Sequence, residues 1–179
     1  VLVDHFFRLY RIHSRVKKTF RGYNFSGDYS IGDILFVLLI MILLGAERLR
    51  HLDYLKTDPL FCRVVRLTHI PHRTKISTSL KQFTSGSLKA LIELNSEFVI
   101  EKIKSLGLNE VTIDLDGTVI STKGNPSWAF KGYNPIKRGA KSYFPITAHI
   151  AETGHFLSIL NRPGNIHDSY RALYVIRMI

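Results

Sequence analysis

Glu110-Val111-Thr112-Ile113-Asp114-Leu115-Asp116-Gly117-Thr118-Val119-Ile120 is the stretch whose reading decides the fold. Val111, Ile113 and Leu115 alternate with Thr112, Asp114 and Asp116, which is the period of an extended strand with one apolar and one polar face. The pattern predicts one strand over residues 110–120, with Asp114 and Asp116 projecting from the same face. Two steps along a strand cover about 7 Å, so the two carboxylates form a candidate site for a hard cation. The alternative is that the aspartates only shape the turn that Gly117 permits.

Working outward toward the C-terminus, the sequence is rich in Gly, Tyr, Thr and short β-branched runs. Trp128-Ala129-Phe130, Ser142 to Ile150, a turn at Glu152-Thr153-Gly154 and His155 to Leu160 read as hairpins pairing antiparallel with the first strand. Trp128 is expected to pack on the sheet because its neighbours are apolar. Lys131, Lys137, Arg138 and Lys141 cluster around Gly132-Tyr133-Asn134-Pro135. A helix is expected to begin near Asp168, with Asp168 as its cap rather than a ligand. His149, His155 and His167 lack the close pairing of a zinc site.

Toward the N-terminus the texture is helical. Arg8, Arg11, Arg15, Lys17, Lys18 and Arg21 face one acid, Asp4, in the first 21 residues, with Phe6, Phe7, Tyr10 and Phe20 between them. Flexible cations interleaved with aromatics suit DNA phosphates, or they form the solvated face of an amphipathic helix. Ser30 or Asp33 can cap a helix through the apolar run Ile34 to Leu44, expected to reach about Arg50. That run is about half the length that spans a bilayer, so it reads as a buried helix and no membrane partner is expected. A short helix to Val65, a turn at His69-Ile70-Pro71-His72 and a helix from Thr74 to Phe83 form a weak helix-turn-helix candidate. Ser87 to Lys104 carries a helical apolar period.

The chain therefore divides near Gly107, into a helical domain (1–107) and a strand-bearing one (108–179), an α+β class. The two parts carry charges of +8 and +3 within a net charge of +11. With a pI near 9.9, the balance points to a polyanionic partner. Hydrophobic residues at 45% allow a real core. One cysteine, Cys62, excludes a disulfide framework and a thiolate metal cage, as in a reducing compartment. The sequence stops inside Tyr174-Val175-Ile176-Arg177-Met178-Ile179 without the Gly, Pro or polar tail that ends most helices. A fragment is therefore expected, in which Ile146, Ile159 and Val175 lack partners.

Two families share the central motif. Asp-x-Asp-Gly-Thr resembles haloacid-dehalogenase-like phosphatases, which would make Asp114 the nucleophile, Asp116 the general acid/base and Mg²⁺ their bridge to phosphate. That resemblance implies βα repeats and a later acidic pair, whereas only Glu152 and Asp168 follow. The other resemblance spans Gly22 to the end. Asp-x-Asp-x-Thr, Gly132-Tyr133-Asn134-Pro135, Gly139, Ser142-Tyr143-x-Pro145, Thr153-Gly154 and Arg162-Pro163-Gly164-Asn165 occur in the order found in DDE transposases of bacterial insertion sequences. Gly124-Asn125-Pro126 departs from the Gly-x-Gln-type segment usual there.

This second resemblance implies a ribonuclease-H-like α/β domain from residue 108, truncated here. It implies Asp116 as the first catalytic carboxylate and metal ligand, because it directly precedes Gly-Thr, with Asp114 in reserve. The further carboxylates would lie beyond this sequence. It implies Mg²⁺, with Mn²⁺ as a substitute, and metal-dependent cleavage and joining of DNA, inactive in this fragment. DNA (element ends and target) is the implied partner, contacted by Lys131, Lys137, Arg138 and Lys141 beside the active site and by Arg15, Lys17, Lys18 and Arg21. A homodimer of the full-length protein, in the bacterial cytoplasm and nucleoid, is implied too. A non-enzymatic alternative is a DNA-binding remnant of a decayed element.

Overall fold

The computed structural model describes residues 2–179. Its mixed α+β architecture is a run of helices followed by two small antiparallel sheets and a final helix. By packing, the chain forms two compact units that divide between Leu91 and Ile92. The division falls inside a long helix, because that helix's later residues Val99 and Ile103 belong to the core of the second unit.

The first unit is helical. Its helices are α1 (Leu2–Leu9), α2 (Ile12–Thr19), α3 (Ile31–Leu43), α4 (Leu52–Leu55), α5 (Pro59–Val65) and α6 (Arg73–Leu80), followed by the start of α7 (Ser85–Ser105). Helix α3 begins where Ser30 Oγ accepts from Asp33 N at 3.2 Å, the cap that the sequence implies. It ends at Leu43, short of Arg50, because the chain turns at Gly45 with φ +75°, a conformation only glycine adopts cheaply. Its middle is the centre of the unit. Ile34, Phe36, Val37 and Ile40 are buried with Phe7, Phe20, Leu52, Phe61, Val65 and Ile76, each contributing about 1.5–3 kcal/mol of burial. Among the described residues no helix is long and apolar enough to cross a membrane.

The helix-turn-helix candidate consists of α5, capped by Asp58 on Leu60 N at 2.8 Å, and α6. Two cations of α6 are occupied. Arg73 pairs with Asp53 at 2.9 Å and Lys75 with Asp28 at 3.1 Å, so part of their charge is engaged by exposed ion pairs.

In the second unit, β1 (Ile113–Gly117), β5 (Ile146–Ile150) and β6 (Phe156–Leu160) form one sheet in the order β1-β5-β6. Strand β1 runs antiparallel to β5, with Leu115 opposite Ala148 and Asp116 opposite Thr147. The second sheet is β2 (Ile120–Ser121), β4 (Lys141–Tyr143) and β3 (Phe130–Lys131), in the order β2-β4-β3. Residues 110–120 are thus two strands in two sheets, not one. Thr118 N donates to Pro145 O at 3.0 Å as the last rung of the first ladder, and Pro145, with no N–H, cannot return the bond. Residues 142–150 split at the same level, because Pro145 has no N–H to continue a ladder.

One face of the first sheet carries Leu115, Ile146, Ala148 and Ile150, which pack with Val99 and Ile103 of α7 and with Ala172 and Val175 of α8 (Ala172–Met178). Ile146 and Val175 are therefore buried despite the expectation that they lack partners, while Ile159 is 49% exposed. Glu152 clasps the hairpin end to the start of β1, its two oxygens accepting from Thr112 N at 2.8 and 3.0 Å. Hydrogen bonds from its own amide and then from Thr112 hold its carboxyl below the ordinary value. Every strand pair described is antiparallel, so the βαβ unit that a phosphatase requires is absent among the described residues.

Candidate functional site

The C-terminal end of β1 opens into a cleft of about 680 Å³. Asp116 and Gly117 line it from the strand, Thr118 from the residue that follows, Tyr133 and Ile136 from one loop, and Asp168 from another. Regular strand geometry over Ile113–Gly117 keeps Asp114 and Asp116 on one face. Both are exposed, and Thr147 Oγ1 donates to the Asp116 carbonyl at 3.2 Å. The cleft takes in Asp116 and leaves out Asp114.

Three loop motifs build the wall. Arg162 is 1% exposed. Its Nε donates to Phe144 O at 2.9 Å, and its Nη1 donates to the carbonyls of Asp168 and Tyr170 at 2.7 and 2.6 Å. Burial lowers its pKa from the ordinary guanidinium value, against the opposing charge of Asp168. The side chain thereby ties the end of β4 to the loop that starts α8. Asn134, also buried, accepts from Ile136 N and Lys137 N at 3.1 and 2.8 Å and donates to Ser121 Oγ at 2.8 Å. Gly132 lies against Gly164, and Gly164 against Ser142.

Asp168 does not cap α8. The residue before that helix is Arg171, in a left-handed conformation with φ 59° and no side-chain cap. Asp168 instead turns back to β1, where its Oδ1 lies 2.9 Å from the position a Cβ on Gly117 would take. The sequence reading missed it as a cleft residue, since an Asp ahead of a helical pattern is ordinarily a cap; Arg162, whose bonds aim the loop, was the available signal. Among the described residues no group of three His, Cys, Asp or Glu side chains comes together to hold a metal.

The basic candidates separate into two places. Lys131, Lys137 and Arg138 are exposed around Gly132-Tyr133-Asn134-Pro135, and Lys141 is half-buried with its Nζ on Asn125 Oδ1. Trp128 does not pack on the sheet. It is 59% exposed and has φ 67°. In the first unit Lys17, Lys18 and Arg21 are exposed and Arg15 is half-buried on or just after α2. Lys17 lies 4.0 Å from Asp33, so part of its charge is engaged.

A family model described as transposase DDE domain group 1 matches residues 1–179. No curated protein and no solved structure matches the chain.

Proposed function

The chain belongs to the transposase DDE domain family, and from that membership we propose that it is the DNA-binding and first-carboxylate part of a bacterial insertion-sequence polynucleotidyl transferase. In this reading residues 1–107 are a helical DNA-binding domain. Residues 108–179 begin a ribonuclease-H-like catalytic domain whose first strand is β1. Asp116 is its first catalytic carboxylate and a metal ligand, with Asp114 in reserve. The observation that carries this assignment is that Asp116 alone of the pair lines the cleft. Lys131, Lys137, Arg138 and Lys141 beside the cleft, and Arg15, Lys17, Lys18 and Arg21 on the helical unit, contact DNA backbone. The protein acts in the bacterial cytoplasm at the nucleoid, on element ends and target DNA, as a homodimer when complete.

Mg²⁺, or Mn²⁺ in its place, is the ion that an all-oxygen carboxylate site takes. Two such ions held close together stabilise the attacking and leaving oxygens of a phosphodiester. That pair needs more negative ligands than Asp116 and Asp168 supply, so the residues of this chain do not build the centre by themselves. The same shortage favours, as a second reading, DNA binding without catalysis.

The test is titration of the purified chain with duplex DNA at several salt concentrations, followed by incubation with supercoiled plasmid and Mg²⁺ or Mn²⁺. Binding that falls steeply with salt, without nicking, is expected. Absence of duplex binding at low salt would overturn the DNA reading. Metal-dependent nicking that disappears in Asp116→Ala would overturn the incomplete centre and leave the transferase assignment standing.

A further inference from the structure

Between Gly117 and Ala151 the chain carries five cations, Lys123, Lys131, Lys137, Arg138 and Lys141, and no acid. The same segment displays large apolar side chains to solvent. Trp128 is 59% exposed, Phe130 47%, and Tyr133 and Ile136 84% each. Tryptophan is on average among the more buried side chains, which makes its exposure within so basic a segment the feature to account for.

The backbone beneath the rings is pinned. Trp128 stands in a turn closed by Ala129 N donating to Pro126 O at 3.3 Å and by Tyr143 Oη donating to Ser127 O at 2.8 Å. It is held in a left-handed conformation, which is rare for a bulky residue and persists only where its surroundings impose it. Tyr133 stands between Gly132, whose backbone abuts Gly164, and Asn134, whose side chain makes three hydrogen bonds. Rigid aromatics lose little conformational entropy when they bind.

An intact duplex presents phosphates at its surface and keeps its base faces stacked. Exposed cations suffice for the phosphates, whereas exposed rings find a complementary π-face on unpaired bases. Resting on the DNA reading above, we propose that Trp128 and Tyr133 are a stacking platform for unpaired nucleobases of a DNA strand whose phosphates Lys131, Lys137 and Arg138 hold. The positive charge and the lack of any acid over the segment select a polyphosphate strand over an apolar protein surface as the occupant.

Trp128 is the only tryptophan in the chain, so its emission reports on this site alone. The experiment titrates the whole chain with a short oligothymidylate and, separately, with a blunt duplex. Quenching by the single strand and not by the duplex at equal saturation is expected. Read by the anisotropy of a labelled strand, Trp128→Ala should weaken single-strand binding roughly tenfold while leaving duplex binding unchanged, Tyr133→Ala should weaken single-strand binding to a similar degree, and Tyr133→Phe should bind like the parent. Both side chains are exposed, so these variants keep the fold, and circular dichroism checks this. Unchanged emission at saturation, or alanine variants that bind the single strand like the parent, would overturn the proposal while duplex binding stands. Failure of the parent to bind either DNA would overturn both this proposal and the DNA reading.

Discussion

A Cβ on Gly132 would lie 1.8 Å from the carbonyl oxygen of Gly164. The two glycines belong to different loop motifs, and their backbones touch where no side chain fits. Gly164 repeats the relation one layer down, since its Cβ would lie 2.1 Å from Ser142 O. Gly132→Ala and Gly164→Ala should each destabilise the second unit by about 3 kcal/mol, because the obstructing atoms are backbone and cannot swing aside. Gly22, with nothing within 4 Å of its Cβ position, is the control whose alanine variant should change little. Urea midpoints for the three variants check this.

Arg162 is the side chain on which the cleft wall depends. Replacing it by alanine leaves the carbonyls of Phe144, Asp168 and Tyr170 without a donor, and lysine cannot reach all three from one ammonium. Both variants should lose about 3 kcal/mol. Faster amide hydrogen exchange at Ala172 and Val175 should accompany the loss, since that loop positions the first turn of α8.

The stability of the first unit should depend on pH through His13. Burial lowers its pKa from the ordinary histidine value, helped by the charge of Lys17 and opposed by Asp33, 3.6 Å away. The unfolded chain then binds the proton at higher pH than the folded one. The contribution is therefore fully present above the unfolded pKa of about 6.5 and is lost as pH falls from there through the folded value. His13→Gln should flatten the change in melting temperature between neutral and mildly acidic pH; an unaltered pH profile would contradict the assignment.

The basic face of α2 calls for substitution rather than deletion. Phe7 and Phe20 flank it and are buried in the core, so removing residues 1–21 would damage the fold along with the charge. Lys18→Gln and Arg21→Gln should each lower the slope of log affinity against log salt by about 1 if the side chain touches a phosphate. Lys17→Gln should do less, because Asp33 already shares its charge.

Periodicity and capping were legible in the sequence because they are local. Alternation in Ile113 to Asp116 gave a strand with two aspartates on one face. Ser30 announced the helix that follows it, and the antiparallel hairpins near Glu152 followed from turn chemistry. The order of the glycine and asparagine motifs carried the family. Tertiary structure decided what those motifs do and where the strands break. The ladder of Thr118 stops because its partner Pro145, 27 positions later, accepts its N–H and has none to give back. Gly132 is required by Gly164, and Asp168 is drawn from the expected cap to the end of β1 by Arg162. Trp128 faces solvent although its neighbours in sequence are apolar. Each of these depends on contacts between segments far apart in the chain, which no local pattern encodes.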